Sequence, residues 1–266
     1  MLPSIVRVVA DLVLPVSCAA CGAPARSLCD ACSTDLLAQL VRFGGPTWVT
    51  PDPEPAGWPG CVAVTAYEGV ARTLVATFKD DDRRDARAVL APLLAAAVAG
   101  VLSGPGPDGA VHDTPTALVP APTSRAARRR RGRDSLAELT RAATELLPDP
   151  VPVARVLAQS RRVSDQAGLG AAARMTNLAG AVTVRRAHRG HLAGLRCLLV
   201  DDVVTTGATL VECARALGQE GAVVIGAVAV CATQRRARRP AADGARPPET
   251  SGSSRPRLNV GGELAA

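Results

Sequence analysis

The alternation of apolar and polar positions along the chain predicts an α/β protein. Residues 61–67 (CVAVTAY) and 196–200 (RCLLV) have the composition of buried strands. The second strand is followed by a predicted helix at 209–218 and by another strand at 223–230. Strand, helix and strand joined by short connections are typical of a right-handed crossover in a parallel sheet.

Further elements are predicted on both sides of this unit. Helical spacing of apolar residues indicates helices at 70–79 and 83–102, and Pro92 predicts a kink or a division in the second. A short apolar stretch at 117–119 predicts a strand. Ser135, with Glu138 three residues later, forms a capping box that predicts the start of another helix.

These elements divide the chain into four predicted segments. Residues 1–43 hold an amphipathic helix and a four-cysteine module, and 44–60 form a Pro/Gly-rich linker without regular structure. Residues 61–233 form the α/β domain, a parallel sheet flanked by helices. Residues 234–266 lack periodicity and are rich in Arg, Pro, Gly and Ser, so a disordered basic tail is predicted.

Composition and charge exclude some classes of function. The formal net charge is +7 over 266 residues. However, 30 of the 31 basic residues are arginine, and this skew is more typical of GC-rich coding bias than of a selected phosphate-binding surface. All five aromatic residues precede residue 80, which argues against binding single strands by stacking bases on aromatic rings. No uninterrupted apolar run of membrane-spanning length and no signal peptide is recognised, so a cytoplasmic protein without membrane insertion is expected.

Four of the eight cysteines form two CxxC pairs separated by seven residues: Cys18, Cys21, Cys29 and Cys32. Two such knuckles present four thiolates to one tetrahedral ion, and structural zinc is the usual occupant. An iron–sulfur cluster remains the alternative, whereas disulfides are disfavoured in a reducing compartment. Such a closed site serves folding or partner docking. The other four are predicted core thiols: Cys61, Cys197, Cys213 and Cys231.

A second constellation follows the predicted strand at 196–200. Asp201 and Asp202 are placed at its carboxyl end, where open α/β sheets bind ligands. The Thr/Gly-rich turn at 205–209 then opens a helix, and its free N–H groups and the helix dipole favour an anion. Carboxylates for sugar hydroxyls or a metal, next to a phosphate cradle, describe a ribose 5-phosphate site.

This segment has three alternative interpretations. A strand ending in two aspartates also occurs in P-loop NTPases, but no GxxxxGK[ST] motif is present. Phospho-receiver domains carry an acidic pair near the N-terminus and a later lysine, and neither condition holds. An ordinary capped turn explains single Thr and Asp residues but not the whole of 197–209.

In the identity and order of its motifs, the chain resembles the ComF family, which are competence-associated proteins similar to type I phosphoribosyltransferases. Residues 197–209 look like the signature that binds phosphoribosyl pyrophosphate (PRPP). The cysteine knuckle, YEGV at 67–70 with the helix to Lys79, LVPAP at 118–122 before an arginine run, QAGL at 166–169 and NLAGA at 177–181 complete the resemblance. It covers about residues 10 to 232.

The resemblance implies a type I phosphoribosyltransferase-like sheet and a set of site residues. Asp201 and Asp202 would bind the ribose hydroxyls directly or through Mg²⁺, and the segment 161–174 would be a mobile loop that closes over PRPP. The 5′-phosphate would be held by Thr205, Thr206, Gly207, Ala208 and Thr209. The pyrophosphate loop would comprise Ala121, Pro122, Thr123 and Ser124, with Arg125 close by.

The activity implied is transfer of the 5-phosphoribosyl group to a nitrogen acceptor with release of pyrophosphate. Where the family commonly has RGFNQ, this chain has RGRDS at 131–135, and no aromatic residue follows Phe78, so the acceptor is left unassigned. The alternative is a non-catalytic DNA-uptake protein whose six arginines between 125 and 133 contact single-stranded DNA or a competence helicase. A regulator that senses PRPP without turnover is a third hypothesis.

Overall fold

The structure of the protein is a computed structural model. It describes residues 17–24, 27–103, 116–160, 180–233 and 236–237. The predicted N-terminal helix at 5–14, the segment 161–174 and nearly all of the predicted tail lie outside these residues.

The described chain alternates between strands and helices. The helices are α1 (Asp30–Phe43), α2 (Gly69–Asp80), α3 (Arg87–Leu102), α4 (Arg125–Arg131), α5 (Ser135–Thr144) and α6 (Ala208–Gly218). The strands are β1 (Thr47–Pro51), β2 (Cys61–Ala66), β3 (Thr116–Pro120), β4 (Leu157–Gln159), β5 (Val182–Val184), β6 (Arg196–Val204), β7 (Val223–Ala232) and β8 (Arg236–Ala237).

Six of these strands form the central sheet in the order β3-β6-β7-β2-β1-β8. The four strands β3, β6, β7 and β2 are parallel, and β1 and β8 extend the β2 edge in antiparallel fashion. The fold is thus the α/β class that the sequence predicts, a largely parallel sheet flanked by helices. Because β2 lies beside β7, a segment near residue 66 ends next to segments beyond residue 200.

Helix α3 forms much of the core on one side of the sheet. Leu90, Leu94 and Val98 are fully buried, and the helix contacts α5, β2 and β7. A 3-10 turn at Arg84–Ala86 precedes it, and the helix continues through Pro92. Among the described residues, Arg84–Leu102 is the one stretch long and apolar enough to cross a membrane by length and composition alone; it contains Arg84, Asp85 and Arg87, and α3 is part of the core.

Two local predictions were wrong. The segment 44–60 was expected to lack regular structure, but Thr47–Pro51 forms β1, in which Thr47 pairs with Ala63. Helix α5 is capped by Asp134, whose side chain accepts from the N–H of Ala137, so Ser135 is the first helical residue and not the cap. In the predicted tail, the backbone of Arg236–Ala237 pairs with β1.

A buried arginine joins α2 to α5. Arg133 is 6% exposed; its Nε donates to Asp82 at 2.6 Å and its Nη1 to Glu138 at 3.0 Å. Its Nη2 donates to the carbonyl of Phe78, and the guanidinium lies 4.5 Å from the centroid of the Phe78 ring. Arg133 therefore closes the carboxyl end of α2.

Replacing Arg133 by methionine should lower the free energy of unfolding by about 2 kcal/mol, because hydrogen bonds to charged groups and a buried carbonyl lose their donor. Urea unfolding measures the change. The matched control is Arg129→Met, an exposed arginine in α4, which should change stability by less than about 0.5 kcal/mol. Equal effects of the two substitutions would contradict this role of Arg133.

Candidate active site and metal centre

The two aspartates lie inside β6 near its carboxyl end, and not after it as predicted. The strand continues through Val204 because it pairs with β7 as far as Ala232. On its other side, β3 ends at Pro120 opposite Val200, and the N–H of Ala121 donates to the carbonyl of Val200 at 2.8 Å. The predicted pyrophosphate loop therefore begins immediately beside the carboxylates.

The turn after β6 leads into the amino terminus of α6. Gly207 is the N-cap, with φ of +73°, and no side chain caps the first N–H groups of the helix. A Cβ at this position would lie 2.5 Å from the Trp58 ring and 3.1 Å from Pro51, so both the backbone angle and the space require glycine. Asp201 and all five residues of the predicted phosphate cradle line one small cavity.

Lys79 forms an ion pair with Asp202. The sequence motifs predict no role for this lysine. The Nζ to Oδ2 distance is 2.6 Å, and both side chains are largely buried. Burial opposes the charge on Lys79, but Asp202 and Asp201 outweigh it, so its pKa lies above the ordinary value. The available signal was that this is the only lysine in the chain.

The carboxyl of Asp201 has a strongly raised pKa. The residue is half-buried, lines the small cavity and accepts from the N–H of Asp202 at 2.9 Å. Burial, together with the charge of Asp202, raises its pKa to about 8, although Lys79 acts in the opposite direction. At neutral pH Asp201 is therefore largely protonated, while Asp202 lies in its ion pair with Lys79.

Aromatic side chains reach this edge of the sheet from before residue 80. Tyr67 follows β2, and its N–H donates to the carbonyl of Ala232 at the end of β7. Its hydroxyl is near enough to Lys79 to interact with the ammonium group electrostatically. Trp58 packs on the Gly207 turn. The absence of aromatic residues after Phe78 therefore does not leave the site without them, because β2 and β7 are neighbours.

The predicted pyrophosphate loop is held by its own hydrogen bonds. Ser124 caps α4 by accepting from the N–H of Ala127 at 3.1 Å, and Thr123 Oγ1 donates to Asp134 at 3.0 Å. Pro122 and Thr123 line a large cleft together with Arg128. The side chain of Arg125 and the whole segment 161–174 lie outside the described residues.

Half of the arginine run is already paired within the fold. Arg130 and Arg131 both contact Asp80, at 3.4 and 2.7 Å. Arg133 is buried against Asp82 and Glu138. The run thus clamps α4 and α5 onto the carboxyl end of α2, which reduces the basic surface available to a nucleic acid.

The four knuckle cysteines come together as predicted. Their sulfur atoms all lie within 4.8 Å of one another, and the Cys21 and Cys29 sulfurs are 3.7 Å apart. A tetrahedral ion with metal–sulfur bonds of about 2.3 Å places its sulfurs about 3.8 Å apart, so the donor set fits one metal ion. All eight cysteines are free thiols.

The backbone around the knuckles favours thiolate at one of these positions. Burial alone would raise the pKa of Cys18, but N–H donors from Cys29, Cys21 and Ala20 outweigh it and bring the value to about 6. In the interior, burial raises the pKa of Cys197 to about 11 and of Cys231 to about 12, and those of Cys61 and Cys213 well above the ordinary value. These four are core thiols, as predicted.

The four-cysteine module, together with α1, packs against both ends of α2. Gln39 of α1 accepts from the N–H of Ala71 and donates to the carbonyl of Glu68, both at 3.2 Å. At the other end, Thr77 donates to the carbonyl of Ala19 at 3.2 Å, and Arg83 donates to the side chain and carbonyl of Ser17. The helix that carries Lys79 is therefore positioned by the cysteine module.

One metal ion per chain is expected in protein purified under reducing conditions, with elemental analysis deciding between zinc and iron. Cys18→Ala should lower the metal content severalfold, because a tetrahedral site loses one of its four ligands. The control is Cys197→Ala, which removes a core thiol and should leave the metal content unchanged. Full metal content in the Cys18 variant would refute the assignment.

Asp201 makes stability depend on pH. Its pKa is about 8 in the folded protein and about 3.9 in the unfolded chain. The folded state therefore holds the extra proton between these values, and its contribution to the free energy of unfolding falls as the pH rises from about 4 to 8.

Asp201→Asn should therefore become more stable relative to the native protein across this window, by up to about 1.4 kcal/mol per pH unit. Urea unfolding at several pH values measures the difference. Asp149→Asn, at an exposed loop position, is the control and should keep the native slope. A difference between the Asp201 variant and the native protein that does not change with pH would contradict the raised pKa.

Comparison with known proteins agrees with this geometry. Residues 133–246 match the family described as the phosphoribosyl transferase domain. The matched segment begins at the buried Arg133 and contains β6, the Gly207 turn, α6 and β7. No curated protein matches the sequence. The chain thus carries a domain similar to type I phosphoribosyltransferases, with a four-cysteine cluster able to hold a metal ion at its amino-terminal side.

Proposed function

We propose that the protein binds PRPP and transfers its 5-phosphoribosyl group to a nitrogen acceptor, releasing pyrophosphate, as a member of the ComF type. The observation that carries the proposal is the juxtaposition of Asp201, Asp202 and the uncapped Gly207 turn at one sheet edge. These residues lie within the segment that matches a phosphoribosyl transferase domain.

Each part of the site suits one part of PRPP. The N–H groups at the start of α6 and the threonines of the turn would hold the 5′-phosphate. Asp201 and Asp202 would accept hydrogen bonds from the ribose hydroxyls. The loop at 121–124 would receive the pyrophosphate, since it begins beside Val200 on the next strand.

Hydroxyl binding and phosphate binding are compatible here because the acidic pair is nearly neutralised. Lys79 balances Asp202, and the raised pKa of Asp201 keeps its carboxyl protonated at neutral pH. A protonated carboxyl both donates and accepts hydrogen bonds, and it does not repel a nearby phosphate. Lys79 would orient the Asp202 carboxylate toward the sugar and limit the charge that the pyrophosphate meets.

Carboxylate oxygens are also the ligands that Mg²⁺ prefers, so the Asp202 carboxylate fits this ion, and Asp201 would join it on losing its proton. When bound with PRPP, Mg²⁺ would neutralise charge on the departing pyrophosphate. At the cysteine cluster we propose structural zinc, which fits the four-thiolate donor set and would hold α1 and the knuckles against α2. A cytoplasmic location belongs to the same proposal, because these thiols must stay reduced.

The competing function is a non-catalytic role in DNA uptake, with single-stranded DNA or a helicase as partner. Its support was the arginine run, and the pairing of Arg130, Arg131 and Arg133 with acidic residues weakens that support. If single-stranded DNA still binds after Arg128 and Arg129 are replaced by alanine, the arginine run is not its binding site.

Calorimetric titration with PRPP, with and without Mg²⁺, tests the leading proposal. Binding should require Mg²⁺ and should weaken at least tenfold in the Asp201→Asn/Asp202→Asn variant, because Asp202 loses its charge and Asp201 loses its carboxyl group. The control removes two exposed carboxylates, Asp35→Asn/Asp149→Asn, and should bind as the native protein does.

A folded, metal-loaded protein that does not bind PRPP would overturn the proposal. PRPP binding without pyrophosphate release, across a panel of nitrogen nucleophiles, would favour the hypothesis of a PRPP sensor over that of a transferase.

A further inference from the structure

The turn at the start of α6 lacks two restraints that are common at a helix amino terminus. Gly207 has φ of +73°, but glycine adopts positive and negative φ about equally readily, so its own preference does not hold it there. No side chain caps the helix, so no cap fixes the first N–H groups either. The shape of the turn must therefore be set by the residues that pack against it.

Two rings from the segment between β1 and β2 pack against this turn. A Cβ at Gly207 would lie 2.5 Å from Cζ3 and 2.9 Å from Cε3 of Trp58, and 3.1 Å from Cγ of Pro51. Both rings therefore lie directly against the backbone of Gly207. The same segment reaches the first turn of α6, since a Cβ at Gly57 would lie 3.8 Å from Val211 Cγ1.

The rings contact the turn from outside the cavity that a phosphate would enter. The small cavity is lined by Asp201 and by residues 203–210, and neither Trp58 nor Pro51 belongs to its lining. A ligand in the cavity would therefore touch the turn and not the rings. Any effect of Trp58 on such a ligand must pass through Gly207.

The segment that carries the two rings is anchored in the sheet. Pro51 is buried, ends β1 and pairs with Arg236 of β8, while Thr47 at the start of β1 pairs with Ala63 of β2. The backbone N–H of Trp58 donates to the carbonyl of Pro55 at 3.1 Å, which closes a turn shortly before β2. The rings are thus presented from a supported backbone.

A hydrogen bond of the indole does not determine where the Trp58 ring lies. Its Nε1 atom is buried and has no hydrogen-bond partner among the described residues. A buried indole N–H normally finds an acceptor, and leaving it unpaired costs free energy. The ring is therefore placed by packing, on the Gly207 turn and against the core.

We propose that Trp58 is a positioning residue for the phosphate of a ribose 5-phosphate group. With Pro51, its ring holds the Gly207 turn in the conformation with free N–H groups before the ligand arrives, so that less conformational entropy is lost on binding. This inference rests on the proposed function, because it concerns the phosphate end of the same site. It also gives a role to part of 44–60, which the sequence predicts as a linker.

Ribose 5-phosphate is the probe, titrated calorimetrically into the metal-loaded full-length protein. Trp58→Leu should weaken its binding about tenfold, because the backbone of the unsupported glycine must then be ordered by the ligand. The matched control is Trp48→Leu, which also removes a packed indole, but one that lies on Gly60 and Gly226. This variant should keep the native affinity.

Hydrogen exchange tests the same contact without a ligand. Amide protons of residues 207–211 should exchange faster in Trp58→Leu than in Trp48→Leu, because the turn opens more often when the ring is absent.

Tryptophan fluorescence tests the contact in a protein that keeps Trp58. The chain has two tryptophans, so Trp48→Phe leaves Trp58 as the only one. Its emission should change on addition of ribose 5-phosphate, whereas that of Trp58→Phe should not. An unchanged emission of Trp58 at saturating ligand would contradict the inference, even if Trp58→Leu does not fold.

Native affinity in Trp58→Leu, or equal weakening by the Trp58 and Trp48 substitutions, would overturn the inference and leave the proposed function intact. Equal weakening would show only a general loss of packing. A native protein that binds neither ribose 5-phosphate nor PRPP would overturn the proposed function and this inference together.

Discussion

The ion pair between Lys79 and Asp202 depends on the position of helix α2, and the buried guanidinium of Arg133 fixes that position. It binds the carbonyl of Phe78, one residue before the lysine, and reaches Asp82 and Glu138 at the same time. A displaced α2 would leave the acidic pair of β6 without its cation. The electrostatics of the whole sheet edge therefore rest on the Arg133 contacts that join α2 to α5.

Two adjacent carboxylates at a buried strand end repel each other, and the fold resolves this in two ways. One carboxylate receives a lysine at 2.6 Å, and the other keeps a proton because its pKa is about 8. The neighbouring turn, with its free N–H groups and Gly207, favours negative charge. A sugar and a phosphate can therefore sit side by side at this edge, which a fully ionised acidic pair would hinder.

The sequence predicted what depends on local pattern. The buried strands, the helix after Gly207 and the cysteine cluster follow from periodicity and spacing, and the structure confirms them. Strand β1 was missed because Thr47–Pro51 is short and stands among Pro and Gly, and only its pairing with β2 makes it a strand. Its stability comes from a neighbour that the local pattern does not reveal.

The contribution of Lys79, Tyr67 and Trp58 to the site was missed for a related reason. The three residues precede the signature by more than 100 positions, and they reach it because β2 lies beside β7. The function of the arginine run was ambiguous until its partners, Asp80 and Asp82, were located in space. Charge density in a sequence does not distinguish a binding surface from a set of internal ion pairs.

The cysteine module is part of the site's architecture and not an appendage. A Cβ at Gly69 would lie 2.1 Å from Gln39 Nε2, so the start of α2 and the side of α1 are in close contact. At the other end, Thr77 is bound to Ala19, which lies between the first two cysteines. A metal ion that fixes the knuckles therefore also restrains both ends of the helix that carries Lys79. Lys79, the cation that pairs with Asp202, is therefore supplied by a helix that contacts α1 at one end and the knuckles at the other.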